Sequence, residues 1–212
     1  MLMKNMVLIG LGNSGLGAKI IEKFFHEGFS IFLMGRNSVK LDNAQQNFKL
    51  KNIQITTKKI DLTDSNSIKH AFSTIESIDV LIYNAVARRN TNVKELSRKA
   101  VEKDFSITVG GAIDCIQESL TKLKISSGSI ILTGGGVSLN PSVQNSSMSL
   151  DKAALRNYAF SLAKSLKDER IYVGTVTITK AIEEESANSP QKVSDAYWKI
   201  YSNKPDNFEI II

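Results

Sequence analysis

The sequence has little cysteine and no long hydrophobic run. Cys115 is the only cysteine, so a disulfide within the chain is excluded and a reducing, cytoplasmic location is predicted. No apolar stretch approaches the roughly 20 residues of a membrane span, so we expect no membrane partner. The first apolar run ends at glycines without a cleavage-type site, which does not fit a signal peptide.

The chain also lacks a basic run and a cluster of metal ligands. Its net charge is +6, but the lysines are scattered and not interleaved with aromatic residues, so nucleic acid is not a predicted partner. A solvated surface and an anionic cofactor explain the charge more simply. The two histidines, His26 and His70, fall in predicted helices away from the strand ends, and we predict no metal site.

Strand-like apolar runs alternate with helical patterns along the whole chain, without a repeat or a linker. This alternation is typical of a parallel sheet covered on both faces by helices. We therefore predict one α/β domain over residues 1–212. The predicted strands are 7–9, 30–34, 53–60, 79–83, 128–133, 171–178 and 208–212. Long helices are predicted over 97–123 and 146–167, and the last helix begins at Ser189-Pro190.

The most informative stretch is 6–17, MVLIGLGNSGLG. Here a short apolar strand stops at Gly10, Gly12, Gly15 and Gly17, and an amphipathic helix follows. Glycines in this context let backbone N–H groups approach a pyrophosphate at a helix N-terminus. The stretch predicts a dinucleotide site, and the alternative is a glycine-rich turn in another kind of α/β protein.

Further segments make the chain resemble the short-chain dehydrogenase/reductase family over nearly its whole length. These segments are Gly35-Arg36, Asp61-Leu62, Asn84-Ala85, Gly128-Ser129-Ile130-Ile131, Lys152-Ala153-Ala154-Leu155 and Ile171-Tyr172-Val173. The resemblance implies a Rossmann-type, doubly wound parallel sheet of about seven strands in the order 3-2-1-4-5-6-7. It places the cofactor across the carboxyl ends of the strands, and it implies a homodimer or homotetramer.

The resemblance also assigns cofactor contacts one position at a time. Gly15, Leu16 and Gly17 match the end of the family's glycine motif, whose first glycine falls on Leu11. The predicted cofactor-binding residues are Gly10, Gly12, Asn13, Ser14, Gly15, Leu16, Arg36, Asp61, Leu62, Asn84, Ala85 and Lys152. Asp61 and Leu62 match the residues beside the adenine. Asn84 and Ala85 match the core of Asn-Asn-Ala-Gly, whose outer positions are Tyr83 and Val86 here.

The end of the second strand indicates which dinucleotide binds. An NAD site usually has a carboxylate there for the ribose hydroxyls, but the first acid after this strand is Asp42. Arg36 instead offers planar donors suited to a 2′-phosphate, and Lys40 follows one helical turn later. We predict NADP(H) over NAD(H); otherwise Arg36 is only a solvated residue at a strand end.

The catalytic positions implied by the family are mostly altered. Lys152 fits the family's lysine, but its tyrosine, four residues earlier, is Met148, which has no transferable proton. The serine position falls on Gly135 (Gly134 or Gly136 if the alignment slips by one), and the asparagine position falls on Thr108. Losing this apparatus removes general acid–base assistance worth about 10²–10⁴ in rate.

Two functions remain open. One is an oxidoreductase that uses NADPH on an unidentified carbonyl or activated alkene. The other is a non-catalytic NADPH-binding sensor or scaffold. Serines near the site, at 138, 146, 147 and 149, are candidate substitutes for the lost acid, and Ser147 and Tyr83 are the most plausible donors. The segment 180–188 is short and acidic where the family often has a longer lid.

Overall fold

The computed structural model describes residues 4–212, and a single seven-stranded sheet lies at its centre. The strands are β1 Lys4–Ile9, β2 Phe29–Gly35, β3 Ile55–Lys59, β4 Val80–Tyr83, β5 Ser129–Gly135, β6 Tyr172–Ile178 and β7 Glu209–Ile211. All neighbours pair in parallel, in the order β3-β2-β1-β4-β5-β6-β7. The predicted topology is confirmed.

Within residues 4–212, seven α-helices flank the sheet, and helices cover both of its faces. They are α1 Leu16–His26, α2 Ser38–Leu50, α3 Ser65–Phe72, α4 Arg98–Phe105, α5 Gly111–Ser126, α6 Ser146–Ser165 and α7 Pro190–Asn203. The apolar faces of α1, α2 and α7 share one core, whereas α3, α5 and α6 share the other. In β1, Val7 and Ile9 face the second core while Met6 and Leu8 face the first. Burial on both faces explains why the strands are almost continuously apolar.

Residues 97–123, predicted as one helix, are divided in the structure. Between α4 and α5 lies a π-helical turn, Ser106–Gly110. The Ile107 carbonyl in this turn accepts a hydrogen bond from the Tyr83 hydroxyl at 2.5 Å. A side chain at Gly111 would lie only 2.8 Å from Leu62 and Tyr83. The close approach to β4 and the diverted carbonyl account for the interruption.

Most other boundaries lie within two residues of the prediction. β5 runs on through Gly134 and Gly135, which pair with Thr177 and Ile178 of β6, because glycines in extended conformation continue the ladder. α7 begins as predicted, with Ser189 as N-cap and Pro190 as first helical residue. Within residues 4–212, none of the helices combines the length and apolar character needed to cross a bilayer.

Candidate functional site

The candidate site is the crevice at the carboxyl ends of β1 and β4, where the strand order reverses. Open α/β sheets bind ligands at such a point. The glycine loop follows β1 here and leads into α1. Gly10, Gly12 and Gly15 have positive φ angles of 90°, 72° and 78°, which other residues rarely adopt. A Cβ at Gly10 would lie 2.9 Å from the backbone of Ala85.

Leu11 does not disturb this loop, although the family's first glycine falls on it. The left-handed turns lie at the glycines on either side of Leu11, and Gly17 packs its backbone directly against that of Leu11. The loop therefore uses glycine where the backbone requires it.

Beside the loop lies a cavity of about 260 Å³. Its lining joins the glycine loop to the end of β2 and the start of α2: Gly10, Leu11, Gly12, Asn13, Met34, Gly35, Arg36, Asn37, Lys40 and Leu41. The structure thus brings the predicted residues Arg36 and Asn13 together. Lys40 donates from Nζ to Asn13 Oδ1 at 3.2 Å. The lining contains two cations and no carboxylate, which suits a phosphate group.

Asp61 and Leu62 lie beyond this cavity. The Asp61 carboxylate accepts hydrogen bonds from the backbone N–H and hydroxyl of Thr63, at 2.9 and 2.7 Å. These bonds, with the charges of Arg36 and Lys59, hold the pKa of Asp61 below its usual range. Asp61 is therefore an ionised acceptor, and Leu62 packs against Gly111.

Asn84 ties the two halves of the crevice together. Its Nδ2 donates to the Gly10 carbonyl at 2.8 Å, and its Oδ1 accepts from Thr133 Oγ1 at 3.0 Å. Thr133 Oγ1 is in turn 2.6 Å from the buried Tyr197 hydroxyl. Thr133 and Tyr197 were not predicted as site residues, since no local pattern relates α7 to the glycine loop. This network fixes the loop against β4 and β5.

Lys152, on α6, reaches the end of β5. Its Nζ donates to the Thr133 carbonyl at 2.6 Å, and the side chain is 95% buried, with 5% of its surface exposed. Burial and then the positive charge of Arg88 lower the pKa of Lys152 to about 8, against a smaller opposing effect of Asp151. The retained lysine therefore loses its proton closer to neutral pH than an exposed lysine does.

Two of the altered positions, Met148 and Gly135, lie close to this lysine along the helix or beside its stem. Met148 is half-buried one helical turn before Lys152. A Cβ at Gly135 would lie 3.5 Å from Lys152 Cγ, an ordinary contact. At Gly136 it would lie 2.8 Å from the Thr179 backbone, and at Gly134 it would collide with Thr177. Among the three glycines, Gly135 alone has room for a side chain.

Thr108 and the two candidate proton donors, Ser147 and Tyr83, are each hydrogen-bonded to another part of the protein. Thr108 Oγ1 accepts from the Ala87 N–H at 3.1 Å. The Ser147 hydroxyl donates to Asp104 at 2.9 Å. Tyr83 is fully buried and bonds to Ile107, and burial raises the pKa of its phenol well above the ordinary value. The structure therefore favours neither Ser147 nor Tyr83 as a proton donor.

The other serines contribute no better donor. Ser146 donates to the Thr91 carbonyl and Ser149 to the Asn145 carbonyl, at 2.8 and 2.9 Å. Ser138 is left with a buried hydroxyl that has no partner among residues 4–212. A serine hydroxyl without an activating base is a poor acid.

A buried carboxylate beside the lysine was missed. Asp151 is fully buried, and neither of its oxygens makes a well-formed hydrogen bond within residues 4–212. Burial, with the nearby charge of Asp104, raises the pKa of Asp151 to about 6, although Thr108 and Lys152 oppose the rise. The sequence did contain a signal for this residue. Asp151 directly precedes the predicted lysine, on a helix that packs against the sheet.

The acidic segment after β6 lies over the glycine loop. Its residues 180–189 contain turns and no helix. Ile182 packs against the α1/α7 core, and a carboxylate oxygen of Glu184 lies 3.6 Å from the place where a Cβ would stand at Gly15. A negative charge therefore stands at the N-terminus of α1, the place predicted for a cofactor pyrophosphate.

Comparison with known proteins gives consistent matches. The profile of the short chain dehydrogenase family matches residues 4–186. An oxidoreductase of Sarocladium schorii is 29% identical over 176 residues, which cover 82% of this chain and 70% of that protein. A short-chain dehydrogenase from Rhodopseudomonas palustris superimposes with a TM-score of 0.85 at 24% identity, covering 99% and 97% of the two chains. One from Sphingobium yanoikuyae, in complex with NADPH, gives 0.84 at 18% identity, covering 99% and 87%.

Proposed function

The chain belongs to the short-chain dehydrogenase family, and from that premise we propose that it binds NADP(H) and reduces a carbonyl or an activated alkene. The observation that carries the proposal is the cavity beside the glycine loop, lined by Arg36 and Lys40 and by no carboxylate. Two cations there favour a 2′-phosphate, whereas an NAD site usually presents an acid. The NADPH complex of the Sphingobium yanoikuyae relative is in line with this preference.

The residues present fit such a cofactor. Gly10, Gly12 and Gly15 turn the loop between β1 and α1, where the pyrophosphate would lie close to Glu184, and Arg36 would hold the 2′-phosphate. Asn84 keeps the loop in place through the Gly10 carbonyl, and Lys152 would bind the nicotinamide ribose from α6. Bound NADPH would supply the hydride.

A carbonyl and an alkene make different demands on this site. Reduction at a carbonyl oxygen needs help from donors at that oxygen, and Gly135 offers no side chain for it. An activated alkene receives hydride at carbon and depends less on such donors. The missing serine therefore favours an activated alkene, and the test uses both substrate classes.

The same alterations support a second candidate, a non-catalytic NADPH sensor or scaffold. The retained residues serve binding, whereas the positions of Met148 and Gly135, which serve proton transfer in the family, hold no acidic hydrogen. In this alternative a partner protein would recognise the cofactor-bound form. A cytoplasmic location and a homodimeric or homotetrameric state belong to both versions of the proposal.

Fluorescence titration with NADPH and with NADH tests binding first. We expect tighter binding of NADPH, because only it carries the 2′-phosphate. Oxidation of NADPH is then followed with a panel of aldehydes, ketones and enones. Turnover of any panel member supports the oxidoreductase, binding without turnover supports the sensor, and failure to bind either dinucleotide contradicts both.

A further inference from the structure

The Lys152 amine has donor capacity to spare. A lysine ammonium carries three N–H groups, and the Thr133 carbonyl is its one hydrogen-bond partner within residues 4–212. It makes no ion pair within those residues. Two N–H groups are therefore left for a ligand in the crevice.

Lys152 is buried, but no side chain at Gly135 stands beside its stem. The Lys152 stem runs past Gly135, with its Cγ 3.5 Å from the place of an added Cβ, so no serine stands between the stem and the crevice. Met148, one turn earlier, presents a thioether. Of the four catalytic positions, only Lys152 and Thr108 carry an acidic hydrogen, and Thr108 is fully buried beside Ala87.

Charged groups on three elements set the proton affinity of this amine. Arg88, in the loop after β4, disfavours the ammonium, and Asp151 on α6 favours it. Asp104 on α4 is bound to Arg89 at 3.0 Å and to Ser147, and its charge raises the pKa of Asp151. With these groups and its burial, Lys152 has a pKa of about 8, a value at which an ammonium is a competent acid near neutral pH.

We propose that Lys152 itself donates the proton to the substrate oxygen and that Asp151 is a positioning residue that keeps the amine protonated. The proposal rests on the proposed reduction with NADP(H). Bound NADPH would supply the hydride for the new C–H bond, and the C=O π pair would move to oxygen. One Lys152 N–H bond breaks and the O–H bond forms. The neutral amine then regains a proton from solvent, favoured by the negative charge of Asp151.

Lysine titration by NMR tests this without turnover. With ¹³C-labelled lysine, the Lys152 Cε signal is assigned from its loss in Lys152→Met. We expect a midpoint near pH 8, against about 10.4 for ordinary lysines. Asp151→Asn should lower it by about one pH unit, because a neighbouring anion is lost. Asp168→Asn, in the turn that follows the C-terminal end of α6, should leave it unchanged. A Lys152 midpoint near 10.4, or none of the expected shift in Asp151→Asn, overturns the proposal.

Kinetics supply the second readout, with 2,3-butanedione as the carbonyl probe. Lys152→Arg keeps the positive charge but does not release its proton, so reduction should fall by at least ~10²-fold. The rate of the parent should fall above about pH 8, and that limb should move to lower pH in Asp151→Asn but not in Asp168→Asn. An active Lys152→Arg, or NADPH binding without any reduction, overturns the lysine donor. Failure to bind NADPH defeats the proposed function instead, and the NMR midpoint still reports on the Asp151–Lys152 pair.

Discussion

At the scale of single residues, Arg36 controls the predicted cofactor preference. It lines the cavity with Lys40 and no acid. Arg36→Asp should weaken NADPH binding by at least ~10-fold and improve NADH binding, because it removes a phosphate partner and supplies a carboxylate for the ribose. Fluorescence titration measures both. Lys49→Asp, at the far end of α2, changes the net charge equally and should leave the preference intact. Unchanged NADPH affinity in Arg36→Asp would mean that Arg36 is only a surface residue.

Gly135 and Met148 stand where the family has its catalytic serine and tyrosine, so they are the positions at which the family's acid–base groups would be restored. The structure leaves room for a side chain at Gly135, where the backbone is extended, with φ −150° and ψ 143°. Gly135→Ser with Met148→Tyr should raise carbonyl reduction by at least ~10²-fold, since the new phenol gains a lysine beside it that lowers its pKa.

Two further variants serve as controls for this double variant. Gly135→Ser alone should change little, because a hydrogen-bond donor without an acid leaves the alkoxide unprotonated. Adding Lys152→Ala to the double variant should remove the gain. A parent that already reduces simple carbonyls at an ordinary enzymatic rate would show that the interpretation of Met148 is wrong.

Asp151 should make stability depend on pH. Its folded pKa of about 6 lies above the ordinary 3.8, so between these values the folded state holds a proton that the unfolded state has released. Stability from this group is therefore present at low pH and lost as pH rises through 6. Asp151→Ala should stabilise the protein by about 1 to 3 kcal/mol at pH 7.5 and much less at pH 4.

Urea unfolding of parent and Asp151→Ala at the two pH values measures this difference. Lys152 affects the free energy of unfolding in a different pH range, since its folded pKa of about 8 lies below 10.5. Its contribution to stability falls as pH drops from 10.5 to 8, outside the range compared. Equal effects of Asp151→Ala at pH 4 and 7.5 would show that the carboxyl titrates normally.

At the scale of elements, the acidic segment after β6 lies on the glycine loop, with Glu184 beside Gly15. Its carboxylate interacts favourably with the positive N-terminus of α1 and repels a pyrophosphate. Glu184→Gln should therefore tighten NADPH binding several-fold, with a smaller gain at high salt. Glu76→Gln, in the exposed loop before β4, is the charge-matched control. The same affinity in Glu184→Gln and the parent would place Glu184 away from the bound cofactor.

At the scale of the whole molecule, α6 is the predicted interface between copies of the chain. Its inner face carries buried residues such as Leu155 and Ala159, whereas Leu150 is 51% exposed and Ala153 also lies on the outside. Small side chains there permit close helix approach. Sedimentation velocity at micromolar concentration should give a mass of two or four times 23.3 kDa.

An arginine on this face tests the interface directly. Ala153→Arg should shift the protein toward a monomer, because the guanidinium would be buried at the contact. Gln191→Arg, on the exposed side of α7, should not change the mass. A parent that sediments as a monomer would contradict the predicted oligomer.

The sequence by itself determined the order of the elements and predicted the cofactor end of the site. Alternating apolar runs and helical patterns are local signals, so they predicted the seven strands and their parallel arrangement. The glycines of the loop and the basic residue after β2 could be recognised as candidate cofactor contacts for the same reason. The π-helical turn Ser106–Gly110 was not, since it depends on the contact of Gly111 with β4.

Only the tertiary structure decided which side chains can act at the reaction end. Ser147 and Tyr83 were plausible donors in the sequence, but both are buried and bonded elsewhere. Asp151 became important only when its burial beside Lys152 was known, and Gly135 was distinguished from its neighbours by the space around it. The reason is physical: burial and hydrogen bonding depend on residues distant in the chain, and they set the proton affinity of each group.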